Sequence, residues 1–300
     1  MSLLEHLDRL YNYDNTQEVT VRQEPNRLAF KPGTPLISLD HYLIEATDDS
    51  TDNLRPAYNV KTGEALSAKL YEHTTFHVKS HLLLANVQGV CNVLDVKKSN
   101  EGVLVFTQQT HGDLHGYLRE KKRLSESQAA PLFRQITEMI AHAHYQRIAL
   151  RDIKLKKFVF TDESRTSLAL AHLDDAQLMD KTGLLTDKRG CPAYICPEKL
   201  ESDSYSGKAA DLWSLGVILY TLLVGNYPFF DSTPQELFSK VRTGYYQVPE
   251  HVSYLARSLI SSLLTYDPTQ RVPALAILEH PWFKHTASET TITTDQTVPK

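Results

Sequence analysis

The chain has 300 residues, 41% hydrophobic and 23% charged, with a formal net charge of −4. These values fit a globular protein of one two-lobed unit or two ordinary domains, and the acidic balance argues against general nucleic-acid affinity. Cys91, Cys191 and Cys196 form an odd, sparse set that fits a reducing compartment, offers no disulfide framework and has no zinc-ligand spacing. Residues 1–30 contain no uninterrupted apolar run after a basic start, and no stretch approaches the ~20 apolar residues of a membrane span. The composition predicts an intracellular protein, in nucleus and/or cytoplasm, that engages neither membrane nor nucleic acid.

Residues 1–35 are polar, with Pro32 and Pro35 near their end, and read as a flexible extension with one short amphipathic helix from Leu3 to Leu10. The folded domain is expected over 36–284. Segments of strand length with turn-like borders follow at Tyr42 to Ala46, Pro56 to Val60, Glu64 to Tyr71, Val90 to Val96 and Gly102 to Phe106. One helix, about Thr75 to Ala85, interrupts them, giving a five-strand, one-helix lobe. After Gly112 helices dominate. The basic run from Arg119 to Arg123 reads as a solvated helix end. Ser125 to Tyr145 carries Ala129, Leu132, Phe133, Ile136, Met139, Ile140 and Ala143 at helical spacing, with Ser125 and Gln128 placed for a capping box. Ala209 to Val224 is so apolar that it must be buried on nearly all sides. Shorter helices are expected at 234–242, 252–264 and 273–280. From His285 onward Thr, Ser and Glu dominate without periodicity, which predicts a flexible tail over 285–300. The fold class is therefore α+β, with a small β-rich lobe and a large helical one.

Chemistry enters at Leu150-Arg151-Asp152-Ile153-Lys154, which resembles the catalytic loop of a protein kinase. Other kinase-like landmarks follow in kinase order. Ala68-Lys69 ends a strand, as does the lysine that pairs with ATP phosphates. Cys191-Pro192-Ala193-Tyr194 leads to Cys196-Pro197-Glu198, similar to the Ala-Pro-Glu segment. Asp211-Leu212-Trp213-Ser214-Leu215-Gly216 resembles the buried helix under the catalytic loop. Asp267-Pro268 with Arg271, then His280-Pro281-Trp282-Phe283, resemble the last helices of the large lobe. Six weak signals in one order make chance agreement negligible. The resemblance implies a two-lobed kinase fold over roughly 40–284, a buried ion pair between Glu198 and Arg271, and hydrogen bonds from the catalytic-loop backbone to Asp211.

The parts that handle nucleotide and metal are absent from the same frame. No glycine stands between Gly33 and Gly63, where kinases bring backbone amides to the phosphates; Glu45, Asp48, Asp49 and Asp52 stand there instead. Between Leu70 and Leu94 the only acid is Glu72, three positions from Lys69, and strand alternation sends it to the opposite face. Lys157 occupies the position of a Mg²⁺-binding amide, and His172-Leu173-Asp174 replaces Asp-Phe-Gly. Lys157 brings positive charge where Mg²⁺ would lie, so no resident metal is expected. A positioned base such as Asp152 contributes ~10²–10⁴-fold, whereas enzymes generally need ~10⁶-fold or more. Asp152 and Lys69 thus read as vestiges. The alternative is a weak or atypical Ser/Thr kinase using both.

The run from Leu150 to Phe160, the route through Leu173-Asp174-Asp175 to Tyr194, and the segments Tyr205 to Asp211 and Tyr220 to Gly225 resemble the Tribbles pseudokinases. His172-Leu173-Asp174 departs from that family's usual Ser-Leu-Glu. The resemblance implies an adaptor rather than an enzyme. Its lobes would hold a transcription-factor substrate of CCAAT/enhancer-binding type. Asp295, Gln296, Val298 and Pro299 in the tail would recruit an E3 ubiquitin ligase through its WD40 propeller. Val298-Pro299 favours the extended backbone such docking uses. Ile277, Leu278, His280, Pro281, Trp282 and Phe283 resemble the segment through which the family contacts mitogen-activated protein kinase kinases; many active kinases also end in these residues as packing groups. The implied cofactor set is none, with weak, metal-free ATP binding left open.

Overall fold

The computed structural model describes residues 30, 33–46, 54–71, 84, 87–171, 173 and 175–286. The expected helices at Leu3 to Leu10 and at about Thr75 to Ala85, and the tail motif, lie outside the described residues, apart from Leu84. The chain divides into two compact units, one of residues 1–85 and 91–111, the other of residues 86–90 and 112–300.

The first unit is an antiparallel sheet of β1 (Leu36–Leu39), β2 (Tyr42–Glu45), β3 (Leu54–Asn59), β4 (Glu64–Tyr71), β5 (Val93–Lys98) and β6 (Val103–Gln108), in the order β1-β2-β3-β4-β6-β5. Six strands replace the five expected. The added strand is β1, joined to β2 by a two-residue turn, with Leu39 opposite Tyr42. Asp40 takes that turn at φ 54°, a left-handed conformation that Asp tolerates better than most residues. β5 begins three positions later than expected. Val90 makes only an isolated bridge to Leu170 in the helical unit, where the Leu170 N–H donates to the Gly89 carbonyl at 2.7 Å.

Strand alternation puts Tyr42, Ile44, Ala57, Leu66, Ala68, Leu104 and Phe106 in one buried cluster. Tyr71, Val96 and Val105 cluster on the opposite face. The sheet curls strongly, because groups far apart in strand order touch. Tyr42 of β2 stacks on Phe106 of β6 at 3.9 Å and its hydroxyl donates to Asp95 of β5 at 2.8 Å. Lys97 of β5 reaches Asp40 of the β1–β2 turn at 3.1 Å. Burial pushes the Tyr42 phenol well above its ordinary range, and the Asp95 carboxylate adds to that.

The second unit opens with α1 (Leu114–Lys121), capped by Asp113, whose carboxylate accepts from the Gly116 N–H at 2.7 Å. The basic run from Arg119 to Arg123 sits at the end of this helix. α2 (Glu126–Tyr145) begins with a full capping box: Ser125 Oγ accepts from the Gln128 N–H, and Gln128 Oε1 accepts from the Ser125 N–H. Short paired strands follow: β7 (Ile148–Ala149), β8 (Phe158–Phe160), β9 (Leu168–Leu170), β10 (Gln177–Leu178), β11 (Leu184–Leu185) and β12 (Tyr205–Ser206). β7 pairs with β10, β8 with β9 and β11 with β12. α3 (Pro197–Glu201) precedes β12, and α4 (Gly207–Val224), α5 (Pro234–Thr243), α6 (Tyr254–Leu263) and α7 (Ala274–Ile277) complete the unit.

α4 is the axis of this unit. It is long and apolar enough to cross a membrane by composition, yet 89% of it is buried inside the protein. A Cβ at Gly216 would meet Leu263 Cβ and Leu264 Cδ2 at 2.8 Å, so glycine lets the end of α6 approach the α4 backbone. The Arg271 guanidinium lies 5.0 Å from the Trp213 ring centre and clasps Glu198 with two parallel bonds of 2.6 and 2.8 Å. It also donates to the carbonyls of Ala209 and Thr265. α7 is shorter than the helix expected over 273–280: it ends at Ile277, a turn follows over 278–280, and Pro281 opens a further helical run over 281–286.

Glu198 and Arg271 are both buried, so truncating either leaves an uncompensated charge. Arg271→Met is expected to lower unfolding stability by ~3–5 kcal/mol in denaturant titration. A loss below ~1 kcal/mol would show that the pair does not anchor this unit.

Candidate functional site

The catalytic-loop segment starts where β7 ends. Asp211 on α4 accepts the N–H groups of Leu150 and Arg151 at 2.8 and 2.7 Å and lies 3.0 Å from His144 Nε2. Those bonds hold Arg151 at φ 70°, a left-handed conformation that is costly for a residue with a long side chain. The turn carries Asp152 inward. Its Oδ1 accepts from the Cys191 N–H at 3.1 Å, and its Oδ2 lies 2.7 Å from Lys154 Nζ and 3.4 Å from Lys157 Nζ. Burial works against the Lys154 ammonium, but the Asp152 carboxylate outweighs it and raises the Lys154 pKa above the ordinary value.

Lys157 ends a 3-10 turn over Leu155–Lys157, just before β8. Its side chain is only 8% exposed, and its ammonium lies 2.8 Å from Asp175 Oδ2. One ammonium therefore bridges the carboxylates of Asp152 and Asp175. The protein kinase fold implies Mg²⁺ here, and the residues do not fit it: a fixed cation lies between the carboxylates, where a metal would need unshared oxygens. Asp174-Asp175 stand out in the sequence as a pair of acids, but nothing there links Asp175 to Lys157. Leu173 is buried, whereas His172 and Asp174 lie outside the described residues.

The segment from Asp175 to Glu198 is fastened by side chains of the same unit. The Arg151 guanidinium pairs with Asp187 and donates to Gln177 Oε1 at 2.7 Å. The Tyr205 hydroxyl reaches Asp187 as well. Lys199, 4% exposed, donates to the Arg189 carbonyl at 3.0 Å and lies 4.8 Å from the Tyr205 ring centre.

In the first unit Lys69 lies on β4, opposite Leu54 and Val105, with its ammonium 4.7 Å from the Tyr71 ring centre. Of the glycine-free span between Gly33 and Gly63, residues 47–53 with Asp48, Asp49 and Asp52 lie outside the described residues, whereas Glu45 ends β2; Glu72, Asp295, Gln296, Val298 and Pro299 also lie outside them.

The candidate kinase-docking segment divides into packed and solvent-reaching residues. Ile277 and Trp282 are fully buried and Phe283 nearly so. The Trp282 indole donates to Glu126 at 2.8 Å, and Phe283 packs between Phe133 and Arg134. These three side chains fix the end of the unit onto α2. Leu278, His280 and Pro281 are the members that reach solvent.

Residues 59–283 match the family described as protein kinase domain. Tribbles homolog 1 of Homo sapiens is 42% identical over 278 residues, covering 90% of this chain and 74% of that protein. Tribbles homolog 2 of Mus musculus is 42% identical over 236 residues, 77% of this chain and 69% of that protein. Tribbles homolog 3 of Mus musculus is 41% identical over 254 residues, 83% of this chain and 72% of that protein.

Two measurements probe this geometry. Lys157→Met removes the ammonium that Asp152 and Asp175 share and is expected to cost ~1–3 kcal/mol by denaturant titration, with much of the loss recovered in Lys157→Met/Asp175→Asn. No recovery would mean that the two side chains are not coupled. Burial pushes the thiols of Cys91 and Cys196 up to about 12, whereas Cys191 is partly exposed. Alkylation of the folded protein at neutral pH, mapped by mass spectrometry, is expected at Cys191 alone. Equal labelling of Cys91 or Cys196 would contradict the packing.

Proposed function

This chain belongs to the Tribbles family and carries a protein kinase domain, and from that premise we propose that it is a pseudokinase adaptor that brings a substrate protein to a ubiquitin ligase. The observation that carries the reading is the Lys157 ammonium shared by Asp152 and Asp175. The carboxylate that a kinase would use as base is buried, and it binds two lysines and a backbone amide. Phosphoryl transfer depends mainly on positioning and on Mg²⁺ neutralising the phosphates, and this arrangement favours neither. ATP, if taken up, binds weakly and without metal. A weak Ser/Thr kinase using Lys69 and Asp152 would first have to break the Lys157 contacts.

In this reading the folded units hold a transcription factor of CCAAT/enhancer-binding type. The tail residues Asp295, Gln296, Val298 and Pro299 enter the WD40 propeller of an E3 ligase. The expected tail start at His285 gives way to helix through Thr286, which is buried, and from Thr286 to Asp295 is 9 positions (295 − 286). As a flexible tether these span ~17 Å and supply an effective concentration on the order of millimolar, so ubiquitin transfer needs proximity and no chemistry from this chain. Docking of mitogen-activated protein kinase kinases, through the solvent-reaching Leu278, His280 and Pro281, is a second output. The site of action is the nucleus and/or cytoplasm.

Deleting residues 294–299 is expected to abolish substrate degradation in cells while leaving the melting temperature unchanged. Unchanged degradation would remove the tail from the mechanism. A thermal-shift titration is expected to show at most a small ATP effect that is independent of Mg²⁺. A large Mg²⁺-dependent shift, with phosphate transfer lost in Asp152→Ala, would establish the kinase reading instead.

A further inference from the structure

We propose that the open end of the curled sheet in the first unit is a binding pocket for a carboxylate carried on a short apolar stem. The curl that closes β2 towards β5 leaves a cavity of about 150 Å³ at one end. Its walls are Ile37, Leu39, Ile44, Leu70 and Leu104, with the Ser99–Glu101 turn at the rim. Arg55, on β3 opposite Ala68, lines the same cavity. The residue is 9% exposed, and its Nε is buried without a hydrogen-bond partner. No ion pair to Arg55 forms among the described residues, although Glu101 borders the same cavity.

A guanidinium N–H withdrawn from water and left unpaired, as at Arg55 Nε, is costly unless something supplies the missing acceptor. Folds place such groups where a ligand completes them, and an apolar pocket with one convergent polar group is the usual form of a small-ligand site. The chemistry of the pocket narrows the occupant. Arg presents a planar fork that matches a carboxylate with two parallel bonds. The aliphatic walls suit a methylene stem rather than a hydrated head. Glu101 at the rim disfavours a dianion such as phosphate, which it would repel more strongly than a monoanion. The volume lies well below the ~300 Å³ lower end of drug-sized pockets, so the cavity takes a small group and not a whole nucleotide. The stem is that of an aliphatic monocarboxylate or of a glutamate within a peptide; both present the same atoms to Arg55. This inference is independent of the adaptor reading, because the pocket shares no residue with the Lys157 cluster or the tail.

The test follows the Arg55 Nε–H resonance in the full-length ¹⁵N-labelled protein during titration with butyrate, inorganic phosphate and chloride. A saturable shift with butyrate in the millimolar range is expected, at least ~tenfold weaker with phosphate. Binding followed on neighbouring backbone amides is expected to weaken ~tenfold or more in Arg55→Lys and to vanish in Arg55→Met. Glu101→Gln alters an exposed side chain, leaves the fold undisturbed and is expected to tighten butyrate binding about two- to fivefold. A capped peptide with an internal Leu-Glu pair separates the two sources. Binding of that peptide assigns the carboxylate to a protein segment, and binding of butyrate alone assigns it to a small molecule. Equal responses to butyrate, phosphate and chloride, no saturable response, or unchanged affinity in Glu101→Gln would each overturn the proposal.

Discussion

Asp152 and Asp175 bring two carboxylates to the inner end of the catalytic-loop segment, and Lys154 and Lys157 bring two ammonium groups. The charges cancel within the protein. Metal-dependent kinases leave the balance open and close it with a divalent ion. A doubly charged ion ~4 Å from the Lys157 ammonium would meet a repulsion of about 8 kcal/mol at an effective dielectric of ~20. Conserving the loop's shape while filling its centre with a side chain separates two properties that kinases keep together, the scaffold and its electrophilic core.

The scaffold rests on other residues. Asp211 orders the turn at Leu150 and Arg151 from below, and the Glu198–Arg271 clasp ties α3 to the segment after α6. Neither needs nucleotide. The Asp152 carboxylate has moved from one set of duties to the other: it receives the Cys191 amide and so helps position the segment that follows. By its contacts Asp152 anchors that segment.

Much of this was legible in the sequence, and the gaps have physical causes. Strand length and turn-like borders located β2, β4 and β6, helical periodicity located α2, and unbroken apolarity located α4, each to within two residues. β1 escaped because its turn depends on Asp40 adopting a left-handed conformation, a weaker signal than a glycine. The end of α1 was marked by the basic run from Arg119, but its start escaped because eight residues hold barely two helical turns, with Leu114 and Leu118 alone buried. Lys157 stood out as a foreign charge, but its partner Asp175 did not, since consecutive aspartates give no phase. The curl joining Lys97 to Asp40 and the withdrawal of Arg55 arise from contacts between distant strands. No local pattern encodes them.

The Arg151–Asp187 contact carries a consequence for control. In many signalling proteins the equivalent arginine waits for a phosphate ester that one enzyme writes and another erases. Here the acid is written in the gene, so this latch is set at translation and has no eraser. A segment fastened in that way holds its shape at this contact with no added group.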